Sequence, residues 1–158
     1  MFVKLLAILA PIAAVASTTL PDGPLAVLQS KPVYRAEVDN AAFSVHTKVA
    51  VKTPPTTEGG LGKADFRISV KVTTRKEGKP YSFKVKKECK KADFKLEDSI
   101  LYFNPTGSAT TCTGEFVTEM NANFGQEVVS QVIPLSMVGG GAALIFQFGE
   151  AEIQLDRE

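Results

Sequence analysis

Hydrophobic and polar residues alternate with period two over several separate segments of the chain. In residues 66–73, Phe66, Ile68, Val70 and Val72 fall on one side of an extended backbone, and Arg67, Ser69, Lys71 and Thr73 fall on the other. Residues 80–86 repeat the pattern, setting Tyr81, Phe83 and Val85 against Ser82, Lys84 and Lys86. An earlier segment, 43–51, places Phe43, Val45, Thr47, Val49 and Val51 opposite Ser44, His46, Lys48 and Ala50, with Lys52 following on the same side. Three segments that each carry an apolar and a basic face predict an antiparallel sheet with one side wet.

The remaining chain divides around these segments. Residues 33–39 predict a strand joined to 43–51 by Asn40-Ala41-Ala42. Residues 53–63, rich in Thr, Pro and Gly, predict an exposed loop, and 75–78 a hairpin turn. A lysine-dense linker is expected to lead from Lys86 to Cys89, with two short apolar runs flanking Glu97-Asp98-Ser99 and a turn at Asn104-Pro105-Thr106-Gly107. The period then changes: Phe116, Met120 and Phe124 recur every fourth residue with Val117 beside them, which predicts one short helix at about 114–124, although Asn121 and Asn123 weaken it. Residues 128–138 return to a strand-like pattern interrupted by Pro134, and three glycines at 139–141 read as a flexible connection. Segments 142–148 and 151–155, joined by Gly149-Glu150, predict a closing hairpin with a Gly-first two-residue turn. The expected fold is mainly β: an antiparallel β-sandwich or small β-barrel with one short helix.

At 158 residues, the chain has the length of one domain. Residues 1–16 read as a cleaved secretory signal peptide, with Lys4 before an apolar stretch at 5–15 and Ala14-Val15-Ala16 as the small-x-small site. Residues 17–32, punctuated by Pro21, Gly23, Pro24 and Pro32, predict an extended N-terminal arm, in which Leu25 to Leu28 form either a short turn of helix or an edge segment. Residues 33–158 are then a single β-rich domain. Export to an oxidising compartment predicts a disulfide between the two cysteines, Cys89 and Cys112, worth roughly 3 kcal/mol by loop-closure entropy.

Charge is divided along the sequence. Residues 63–95 hold twelve Lys/Arg against four Asp/Glu, and residues 96–158 hold one Arg against nine acids. Two readings follow. Alternation gathers Arg67, Lys71, Lys84 and Lys86, with Lys48, into a face for an anionic partner; alternatively, the basic strands lie beside the acidic C-terminal strands and the two cancel. Nucleic acid is disfavoured, because the aromatics of these segments alternate inward and leave no outward stacking platform. Membrane insertion is disfavoured too: residues 128–149 carry no charge, but Pro134 and the three glycines fit buried strands better than a span.

Motifs for chemistry are sparse. The sole histidine, His46, would need an acid or nucleophile brought to it by the fold. Glu115 and Glu119 at helical spacing, and Glu150 and Glu152 around the last turn, would have to converge across a cleft to hydrolyse a glycosidic bond. No nucleophile-elbow, zinc-protease or phosphate-loop pattern is present, and no cofactor or metal is expected. The chain also lacks tryptophan, and with it any Gly-x-Trp signature of ligand-carrying barrels. The expectation is a secreted, extracellular, non-catalytic binding protein whose β-sheet surface engages a protein, glycan or small ligand, the basic face indicating an anionic one. The alternatives are a carrier of a small apolar ligand or lipid, with Phe116, Met120 and Phe124 lining its pocket, and a carboxylate-dependent hydrolase.

Overall fold

The computed structural model describes residues 23–158, so the leader at 1–16 and the first part of the arm lie outside the described residues. The alternating segments form eight strands: β1 (Val33–Asp39), β2 (Phe43–Thr53), β3 (Leu61–Lys76), β4 (Lys79–Glu97), β5 (Ile100–Phe103), β6 (Ile133–Val138), β7 (Ala143–Phe148) and β8 (Ala151–Arg157). Each pairs antiparallel with the next, and β8 pairs back onto β1 through Tyr34↔Arg157 and Arg35↔Asp156. Of the two architectures expected, the barrel is the one formed, and its closure leaves no free edge at the ends of the strand order.

Tight turns set the register. Asn40 Oδ1 accepts the backbone N–H groups of Ala42 and Phe43, both at 2.9 Å, an Asx turn that joins β1 to β2. The β3–β4 and β4–β5 hairpins turn on Glu77-Gly78 and Asp98-Ser99, all four with positive φ, as a two-residue type I′ turn requires.

The interior is a packed core, as eight strands allow. Phe66 lies 5.4 Å from Phe103 and 6.1 Å from Phe116, and Phe94 lies 5.4 Å from Phe103, ring centroid to centroid. All four are fully buried, with Ile68, Leu96, Leu101, Met120, Leu135 and Leu155 around them.

Two expectations are corrected. The lysine-dense stretch after Lys86 is strand: β4 continues to Glu97. Its pattern was obscured because Lys87 takes a position on the inward side, and because a bulge shifts the register between Phe66↔Cys89 and Ala64↔Ala92. Lys91 adopts φ 51° there, and Asp65 Oδ1 accepts its N–H at 2.9 Å. Second, only Ile133–Val138 of the 128–138 segment is strand. The N–H groups of Val128 and Val129 go instead to Asn121 Oδ1. Within the arm, the helical alternative for Leu25 to Leu28 is the one formed: Pro24–Gln29 is helix α1, with Pro at its first turn. Its Leu28 is fully buried beneath the barrel.

The predicted helix, α2 (Cys112–Phe124), repairs an incomplete wall. β5 pairs only with Phe94 to Glu97 of β4, so among the described residues most of β4 has no strand on that side. α2 runs antiparallel along this edge. The Cys89–Cys112 disulfide fixes its start, and Tyr81 donates to Asn123 Oδ1 at 3.2 Å near its end. Phe124 packs edge-on against Phe83 (5.1 Å) and Phe148 (5.7 Å), bridging β4 and β7. Thr111 caps the N-terminus by accepting the Gly114 N–H, and Gly125 closes the C-terminus in the left-handed conformation.

Candidate basic face on the outside of the barrel

Because side chains alternate across a strand, burying the apolar set of β1–β4 forces the polar set onto one continuous outer surface. The register arranges that surface in rows across the strands. Asp39, Ser44, Lys71 and Lys84 form the first, Glu37, His46, Ser69 and Lys86 the second, and Arg35, Lys48, Arg67 and Glu88 the third. All five residues predicted for an anion-binding face, Lys48, Arg67, Lys71, Lys84 and Lys86, therefore lie together.

Like charges are brought into direct register here. Lys71 stands opposite Lys84, and Lys48 stands between Arg35 and Arg67. Such pairs destabilise a sheet. The two arginines are relieved, Arg35 by Glu158 at 2.8 Å and Arg67 by Glu88 at 3.1 Å. Among the described residues, Lys48, Lys71, Lys84 and Lys86 have no acid within ion-pair distance. A groove of about 240 Å³ lies over the second and third rows, lined by Arg35, Glu37, His46, Lys48, Arg67, Ser69 and Lys86. A second, about 100 Å³, continues past Lys48 and Arg67 to Lys52 and Lys90.

The acidic C-terminal strand meets this face at its β1 edge, where Asp156 of β8 stands opposite Arg35. Because β8 sits between β7 and β1, its acids are not beside β3 and β4. From the acidic part of the chain, Glu158 reaches Arg35, Glu115 and Glu119 reach Lys87 at 3.4 and 3.9 Å, and Glu97 pairs with Lys95 on its own strand.

His46 acquires the neighbours that the sequence could not supply. Its Nε2 lies 2.9 Å from Asp39 Oδ1, and the Ser44 hydroxyl donates to the same carboxylate. These two hydrogen bonds, the serine's first, hold the Asp39 carboxyl below its ordinary range. The order differs from that of a nucleophilic relay. Asp39 takes both contacts at once, and Ser44 Oγ is 3.5 Å from the same imidazole nitrogen that faces the acid. The cluster is exposed and orients His46 beside the groove.

The other candidates disperse. Phe116 and Met120 are fully buried core, whereas Phe124 lines an open groove of about 790 Å³ at the barrel mouth with Phe43, Val72, Val128, Phe148 and Ala151. Glu115 and Glu119 of α2 engage Lys87 of β4, whereas Glu150 and Glu152 belong to the β7–β8 hairpin. Among the described residues, no cluster of His, Cys, Asp and Glu could hold a metal ion, and no helix is long and apolar enough to cross a membrane.

Sequence reasoning missed Arg35. Its strand alternates, but only the pairing with Lys48 attaches it to the basic face. No family model, curated protein or solved structure matches the chain.

Proposed function

We propose that this chain is a secreted, non-catalytic binding protein that engages an anionic partner through the outer face of β1–β4. One observation carries the reading: Lys48, Lys71, Lys84 and Lys86 crowd onto a single sheet face, Lys71 opposite Lys84 and Lys48 between Arg35 and Arg67, with none of the four lysines in an ion pair among the described residues. Cross-strand repulsion there works against folding. An anion extending from the groove, where Lys48 and Lys86 lie, to the neighbouring Lys71–Lys84 pair relieves that repulsion and gains cations not already committed to internal pairs. The disulfide is compatible with an extracellular setting.

Chromatography on heparin at low salt tests the reading. The native chain is expected to be retained and to elute as salt rises, since screening weakens contacts between exposed charges. Replacing Lys71, Lys84 and Lys86 with Ala is expected to abolish retention. A native chain that flows through, or a variant retained equally, would overturn the reading.

A second reading, the apolar carrier, draws on the mouth groove, where aromatic walls from β2, α2 and β7 surround an opening. It requires an apolar fluorescent probe to bind there and to be displaced when Phe124→Ala removes a wall; an unchanged probe signal would dismiss it.

A further inference from the structure

We infer that the anionic partner is a linear acidic polysaccharide, sulfated or uronate-rich, laid diagonally across β1–β4; this rests on the reading of that face as anion-binding. The register defines a track. Lys84 of β4 and Lys71 of β3 occupy the first row, Lys86 of β4 the second, and Arg67, Lys48 and Arg35 of β3, β2 and β1 the third, so the cations begin on β4 and β3 and end on β1, with Ser69 and His46 between them in the second row. With strands about 4.8 Å apart and successive outward residues about 6.7 Å apart, the track is roughly 20 Å long.

Carboxylates border it on both sides. Asp39 and Glu37 hold the corner on β1, and Glu88, with Asp65 one row further, holds the opposite corner. A polyanion displaced from the diagonal meets negative charge, which selects a thread over a broad surface. Along the track, Ser69 and His46 present short polar groups between the long cationic side chains, at the positions where sugar hydroxyls need hydrogen-bond partners.

The other polyanions fit less well. A bilayer surface would extend over both acidic corners, and of the exposed large hydrophobic residues among those described, Leu61 begins β3 beyond the three rows and Val138 ends β6. Single-stranded nucleic acid binds by stacking bases on aromatic side chains, and these three rows carry no Phe, Tyr or Trp.

The test is calorimetric titration at low salt with heparin-derived oligosaccharides from disaccharide to decasaccharide, alongside phosphatidylserine vesicles and single-stranded DNA. Affinity is expected to climb with saccharide length and level off once the chain spans the track. The double variants Lys71→Ala/Lys84→Ala and Arg35→Ala/Lys48→Ala, at opposite ends, should each weaken the longest oligosaccharide on the order of tenfold. Affinity independent of length, or loss confined to one end, would overturn the track. Vesicle or DNA binding that equals or exceeds saccharide binding would reject the polysaccharide while leaving the anion-binding reading standing. Failure to bind any of the three would reject both.

Discussion

Two buried or clustered side chains show how single residues fix the scaffold. Tyr34 is fully buried and donates to the Gly141 carbonyl at 2.9 Å, tying β1 to the turn before β7. Gly141 itself has φ 94°, and a Cβ there would fall 2.6 Å from Val27, so the α1 helix can approach only because the residue is glycine. Tyr34→Phe is expected to lower stability by about 1 kcal/mol, read by denaturant unfolding. Burial raises the Tyr34 pKa, with Arg157 opposing it. A raised value means that this group's contribution is intact below the unfolded tyrosine value of about 10 and is lost as pH climbs through the folded one. The variant should therefore lose less stability than the native chain above pH 10; parallel alkaline limbs would contradict the assignment. At Asp39, where the shift is downward, carboxyl titration by NMR should give a midpoint below that of an ordinary aspartate. Ser44→Ala should move it upward, because the largest cause of the shift is the serine hydroxyl. An unmoved midpoint would mean that the hydroxyl contact is not formed in solution.

At the scale of elements, α2 and the β3–β4 hairpin carry opposite lessons about legibility. The four-residue spacing of Phe116, Met120 and Phe124 revealed the helix, because a helix packed on one side must repeat its apolar face near 3.6 residues. Its purpose was hidden: nothing local in 100–103 announces that β5 is too short to cover β4. Asn121 looked like a weak point, yet its side chain accepts two backbone N–H groups and donates to the Val129 carbonyl, organising the chain that leaves the helix. The disulfide closes a sequence separation of 23 and holds α2 against β4. Replacing both cysteines with Ala is expected to lower stability by roughly 3 kcal/mol and to raise amide exchange first in α2; uniform exchange across the barrel would show that the helix does not depend on the bridge. In the hairpin, Lys84→Glu converts a like-charged cross-strand pair with Lys71 into an opposite-charged one. Stability should rise by roughly 0.2–1 kcal/mol while heparin retention falls. A destabilised variant would remove the claim that the face is held at a cost to folding.

On the scale of the whole molecule, closure turns a linear division of charge into a spatial one. The sequence carried the basic middle and the acidic end plainly, but left two outcomes open, cancellation between neighbouring strands or separation. Strand order, a long-range property, divides the outcome: β8 returns to β1, so Asp156 and Glu158 meet Arg35 at the edge of the face, while β3 and β4 have no β8 acid beside them. The five lysine and arginine positions of the candidate face were legible because period two is a local signal. Arg35 and the Ser44–His46–Asp39 cluster were not, since they depend on which strand lies beside which and in what register. The measurement that addresses the central claim most directly is an amide chemical-shift map of the labelled protein titrated with a sulfated oligosaccharide. Shifts are predicted to concentrate at the outward positions of β1–β4, around Lys48, Arg67, Lys71, Lys84 and Lys86. Shifts centred on the mouth groove or the β7–β8 hairpin, or none at all, would contradict it.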